Sequence, residues 1–186
     1  KTTDTVMGTA EIQPDAYLIK PVTEAILTSR IQKINAKKKN FIEIDRAIAA
    51  RDFLKAIRLC EERAAIDKAN AVELLRLKCN LLMQSGQPDK ARAAYENLLA
   101  TRDVPWAQLG LAKTRIQTGD YESARDLLEQ LVDNNRSYLE AYDCLAETYQ
   151  ALGENDKAEN ILERAIELSP HSHIRQRAIG DLSLKT

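Results

Sequence analysis

Four hexapeptides decide the fold: Arg51-Asp52-Phe53-Leu54-Lys55-Ala56, Gly86-Gln87-Pro88-Asp89-Lys90-Ala91, Gly119-Asp120-Tyr121-Glu122-Ser123-Ala124 and Gly153-Glu154-Asn155-Asp156-Lys157-Ala158. Their alanines recur at intervals of 35, 33 and 34 residues. A period near 34 with a turn in each unit predicts stacked helix-turn-helix pairs. Gly86, Gly119 and Gly153 stand where a first helix must end in a left-handed residue, which costs glycine least. Each alanine then begins the apolar stripe of a second helix at a point where only a small side chain lets two helices cross. Four residues on, Cys60, Tyr95, Leu128 and Leu162 continue that stripe, and Ile44, Cys79, Ala112 and Ala146 mark the crossing points of the first helices.

Composition agrees with a helical, well-cored chain. Of 186 residues, 44% are hydrophobic, and glycine and proline together number only 11. Charged residues balance to a formal net charge of -1, without the basic excess that draws a protein to nucleic acid. Cys60, Cys79 and Cys144 are odd in number and lack CxxC spacing, so neither a disulfide framework nor a zinc ribbon is expected. Free thiols fit a cytoplasmic location. No apolar run reaches the length of a membrane span.

These motifs resemble the tetratricopeptide repeat. The unit Leu139–Ser172 carries Tyr142, Leu145, Ala146, Tyr149, Gly153, Ala158, Leu162, Ala165 and Pro170 in that family's positions. The unit from Pro105 has Arg115 and Arg136 where the family favours an aromatic and a proline. The unit from Val72 has Lys78 at a usually apolar place. In the first unit, from about Lys37, Asn40 and Glu43 replace apolar residues and no glycine ends the first helix. The resemblance implies an all-α fold, a right-handed superhelical stack of antiparallel helix pairs. Beyond Pro170, a helix from Ser172 to about Leu182 either caps the stack or opens a further repeat.

Residues 1–35 fall outside the repeat. A helix from Asp4 to about Gln13, a strand over Asp15–Lys20 and a helix capped by Thr23, with Ile26, Leu27, Ile31 and Ile34 on one face, make a short helix-strand-helix segment. This resembles the end of a response-regulator receiver domain. The likeness implies that Lys20 contacts a phosphoryl group, that Pro21 follows a cis peptide and that Tyr17 moves with activation. The phosphoacceptor aspartate, acidic pair and hydroxyl switch of that family have no counterpart in this chain. The strand's unpaired edge is expected to be covered by homodimerisation through this segment. The expected division is therefore 1–35, receiver-like, and 36–186, repeat.

The repeat resemblance also implies a concave groove lined by first helices. Its positions fall on Glu73, Arg76, Leu77, Asn80 and Met83, then Trp106, Leu109, Gly110, Lys113 and Ile116, then Glu140, Asp143, Cys144, Glu147 and Gln150. Of these, Glu73, Arg76, Asn80, Trp106, Leu109, Lys113, Asp143 and Glu147 are the candidate contacts for a protein or peptide. A subset of the family clamps C-terminal carboxylates of chaperones. Arg76 and Asn80 match its first pair, but Gly110, Glu140 and Cys144 replace the rest, so the clamp is incomplete.

No nucleophile–base pairing, phosphate loop or metal-binding spacing occurs, so no enzyme, cofactor or metal is expected. His171 and His173 alone make a poor metal site. Lys37-Lys38-Lys39 reads as a solvated joint rather than a nucleic-acid or lipid contact. The function expected is a response-regulator adaptor whose output is protein binding. The alternative is a constitutive assembly scaffold or co-chaperone unrelated to phosphorelay.

Overall fold

The structure is a computed structural model that describes residues 22–170 and 173–183. Every regular element among them is an α-helix. The chain divides between Ser85 and Gly86 into two compact units.

The first unit holds α1 (Glu24–Ala49), α2 (Phe53–Ile66) and α3 (Ala71–Gln84). Thr23 caps α1, its hydroxyl accepting from the Ile26 amide at 3.3 Å. The helix then runs without a break through residues 35 and 36, where the sequence suggested a change of segment. Nothing between Ile31 and Phe41 is a glycine or proline, so the helix has no reason to stop. The expected helix over 4–13, the strand over 15–20 and the residues Tyr17, Lys20 and Pro21 lie outside the described residues.

Phe41, Ile44 and Ala47 of α1, Ala56, Ile57 and Cys60 of α2, and Leu74, Cys79, Leu81 and Leu82 of α3 form the buried interior of this unit. Two departures from the repeat pattern resolve as bridges between helices. Glu43 accepts from Arg63 on α2 at 2.7 Å, and Lys78 reaches Glu61 on α2 at 2.7 Å with its stem three-quarters covered. The first half of α1 is different: Ile26, Leu27 and Ile31 share a face that is 40–51% exposed.

The second unit holds α4 (Pro88–Leu99), α5 (Pro105–Gln117), α6 (Tyr121–Asn134), α7 (Leu139–Ala151), α8 (Asn155–Leu168) and α9 (His173–Ser183). Each helix packs on the next, and α5 also touches α7. Ala91, Ala107, Ala112, Ala124, Ala141, Ala158 and Ala165 are all fully buried, as close helix crossings require. Larger side chains from α6, α7 and α8, among them Leu128, Leu131, Tyr142, Leu145 and Leu162, close the core around them. Buried Thr114 and Thr148 satisfy their hydroxyls on the carbonyls of Gly110 and Cys144, one turn back.

The turn glycines behave as expected, with φ of 71, 81 and 77° at Gly86, Gly119 and Gly153. In the first repeat, which lacks the glycine, Arg51 itself takes φ 55°. A side chain there costs roughly 1–2 kcal/mol, partly offset by the chain entropy that glycine would lose. Arg51→Gly is therefore expected to stabilise the protein by about 0.5–1 kcal/mol in urea denaturation. Ala124→Leu and Ala158→Leu should overpack their crossings and cost about 1–3 kcal/mol in the same measurement.

All three cysteines are buried. Burial, helped by neighbouring Glu61, pushes the Cys60 thiol up to about 11. Burial pushes Cys144 up to about 12; Lys113 opposes this and the Glu147 charge adds to it. Their neutral forms therefore support the fold at neutral pH, and that support is lost as pH rises from about 9.0, where unfolded thiols ionise, to about 11 for Cys60 and about 12 for Cys144. A thiol-exchange reagent at pH 8 should react slowly with native protein and take up three equivalents on unfolding. Fast reaction of the folded chain would contradict this burial.

Candidate protein-binding surface

In the first unit the candidate contacts lie on α3. Glu73, Arg76 and Asn80 are spaced by three and four residues, which places them on one helix face, and all three are exposed. Leu77 and Met83 beside them are half-buried.

In the second unit the contacts lie on α5 and α7, and they differ in fate. Lys113 donates to Glu140 across the two helices, Nζ to Oε1 at 2.6 Å. Partial desolvation draws the Lys113 pKa down, but the Glu140 hydrogen bond and the nearby negative charges of Glu140 and Glu147 outweigh it, so the net shift is upward. The lysine is therefore a firmly charged group held against α7. With side chains 43% and 36% exposed, the pair is worth only about 0.2–1 kcal/mol to the fold.

Asp143 is held by Arg175 of α9 in a two-pronged contact, Nε to Oδ1 at 2.7 Å and Nη2 to Oδ2 at 2.8 Å. Only 7% of the Arg175 side chain is exposed, against 39% for Asp143. The acidic end that the sequence suggested is thus largely neutralised: Glu140 and Asp143 each carry a cationic partner. Glu147, on the same helix, stays exposed.

Leu109 requires correction. Only 3% exposed, it belongs to the buried cluster containing Ala112, Tyr142 and Leu145, so it supports the surface rather than meeting a partner. Cys144, another expected groove position, is also buried. Trp106 is half-buried and meets the Tyr95 ring of α4 edge-on, centroids 6.3 Å apart at 67°.

Gly110 shows why the carboxylate clamp is incomplete. A Cβ there would collide with the hydroxyl end of the buried Tyr95 ring, so asparagine fits only if this tyrosine moves. The clamp's later positions are closed too: Glu140 is paired with Lys113, and Cys144 is in the core.

Sequence reasoning missed Arg175 and the contact between Tyr95 and Trp106. Arg175 lies 34 residues after the buried Ala141, which lies 34 after the buried Ala107, so the repeat register alone would have pointed it inward. Tyr95 is buried, as its place on the core stripe implies, but its edge-on contact with Trp106 of α5 had no sequence signal.

Two family profiles described as tetratricopeptide repeat match residues 82–143 and 139–182. Cellulose synthase operon protein C of Xanthomonas axonopodis pv. citri (strain 306) is 28% identical over 119 residues. That match covers 63% of this chain but 7% of the relative, so the chain spans a small part of that protein's length. Among solved structures, the crystal structure of MamA is 25% identical, with a TM-score of 0.63 over 76% of this chain and 83% of that one. The first tetratricopeptide domain of Spaghetti (RPAP3), bound to the HSP90 peptide SRMEEVD, is 23% identical. Its TM-score is 0.57 over 64% of this chain and 98% of that domain, a likeness of fold alone. No helix among the described residues is long and apolar enough to cross a membrane. Residues 82–182 are tetratricopeptide repeats, and the chain carries a protein–protein interaction module of that kind.

Proposed function

We propose that the chain is a cytoplasmic adaptor that holds a protein or peptide on the first-helix surfaces of its repeats. The observation that carries this reading is the division of labour on α5 and α7. Alanines and leucines on these helices are spent on the core, while Lys113 and Glu147 stand exposed and Asp143, held by Arg175, keeps part of its carboxylate at the surface. Arg76 and Asn80 would make the corresponding contacts on α3. In the same reading the partner is neither nucleic acid nor membrane, and no cofactor takes part.

Lys113→Ala should lower affinity for a captured partner while moving the denaturation midpoint by less than about 1 kcal/mol. An equal loss of stability and binding would make Lys113 a structural residue. Asp143→Ala should cost more, about 1–3 kcal/mol, because it removes a two-pronged carboxylate from a buried guanidinium; Arg175→Ala should cost less, since the half-exposed Asp143 can turn to water.

The finer reading is that this adaptor is the output arm of a two-component response regulator, with residues 1–35 receiver-like and 36–186 the repeat region. Support comes from Tyr17, Lys20 and Pro21 preceding in sequence a capped helix whose apolar side chains Ile26, Leu27 and Ile31 are 40–51% exposed. A sheet or a second copy joined through the N-terminal segment would cover them. The coding sequence before Lys1 tests the ancestry: an acidic pair and a phosphoacceptor aspartate there would support it, and another kind of domain would sink it. Sedimentation tests the pairing, which predicts a dimer that Ile31→Glu dissociates.

A constitutive scaffold or co-chaperone is the alternative, and the likeness to the RPAP3 domain favours it in general form. Because the clamp positions are closed, a free C-terminal carboxylate should add nothing: amidating a bound peptide's C-terminus is expected to leave its affinity unchanged.

A further inference from the structure

Beside the N-terminal end of α5, an open depression lies between Pro105 and Trp106 on one side and the loop joining α6 to α7 on the other, with Asn135, Arg136 and Tyr138 on its wall. We propose that this depression docks a peptide segment presenting a large apolar side chain next to a carboxylate. The proposal rests on the protein-binding reading, but it gives the partner a place and a chemistry that the first-helix surface does not.

Three properties of the wall point to that ligand. Its apolar part is held in place: the Tyr95 ring meets the indole of the half-buried Trp106 edge-on, and Trp106 lines the depression. Such a ring gives a large contact area at little entropic cost. Tyr138 is half-buried beside it, and Pro105 adds a rigid apolar edge.

The charge of the wall has one sign. Arg136 is the only ionisable cation or anion among the lining residues, is exposed, and has no ion-pair partner within 4.0 Å among the described residues. The N-terminal ends of α5 and α7 also border the depression, and neither has a side-chain cap. Their positive ends outnumber the single C-terminal end of α6 at Asn134. A carboxylate is the complement.

The third property is compositional. Tryptophan, tyrosine and arginine are the residue types that dominate binding energy at protein interfaces, and here they meet in one place.

Trp106 is the only tryptophan in the chain, so its emission reports the site directly. The probes are end-capped pentapeptides of sequence GELEG, GKLKG and GEAEG, titrated into the full chain. GELEG should shift Trp106 emission saturably, and about tenfold more tightly than GKLKG, with GEAEG the weaker of the acidic pair. Arg136→Ser should bring GELEG to the affinity of GKLKG at an unchanged melting temperature. Trp106→Phe should still bind GELEG by calorimetry. Emission unchanged by every peptide, equal affinity for GELEG and GKLKG, or an Arg136→Ser variant that binds GELEG as before would each overturn the proposal. Calorimetric binding that leaves Trp106 silent and falls with Lys113→Ala would overturn it too, while upholding the first-helix surface.

Discussion

A methyl group at a helix crossing sets how closely two helices approach, and that distance governs nearly everything else in this molecule. Ala91, Ala124 and Ala158 have no exposed surface at all. With the backbones drawn together there, leucines and tyrosines on either side interdigitate at crystal-like density. The same constraint operates within the first unit at Ala56. Polar chemistry can then be confined to faces that packing does not need, and those are the faces available to a partner.

Where the repeat pattern is broken, the molecule substitutes bridges for apolar contacts. Glu43 with Arg63 and Lys78 with Glu61 tie neighbouring helices in the first unit, and Arg115 donates to the carbonyl of Ser123 at 2.9 Å in the second. Each pair is partly exposed, so its stabilisation is small. Its effect is on register: a charged group at the wrong height would lose its partner. The Asp143–Arg175 pair is the buried extreme of this device, and it fixes α9 against α7 as Lys113–Glu140 fixes α7 against α5.

Period and turn chemistry made the helix pairs legible in the sequence, because glycine at φ near 75° and alanine at a crossing are demands of backbone geometry. The candidate surface was legible only in part. Arg76, Asn80, Lys113 and Glu147 could be placed from register and are exposed. Leu109 could not be distinguished from a groove residue, since a leucine at a given register turns inward or outward according to how far the neighbouring helices have closed. Pairing was less legible still. Asp143 meets a residue 32 positions away, and nothing local in either segment announces the other. The proposed division at residues 35 and 36 carries no break in α1, because nothing in that stretch lowers helix propensity enough to end the helix.

The expected acidity of the α7 surface illustrates why charge counts along a sequence mislead about recognition. Glu140, Asp143 and Glu147 form a run that reads as a repulsive field for anions, but two of the three are spent within the fold. What a ligand meets is the residue of charge left after internal pairing. By the same subtraction Arg136 keeps its full charge, as the exposed Arg76 does, and it is the one charged side chain lining the depression beside Trp106. Recognition on a scaffold of this kind therefore belongs to the side chains that the repeat has no use for. A departure from the family pattern that leaves a charge unpaired beside an aromatic carries more functional information than the conformity of the residues around it.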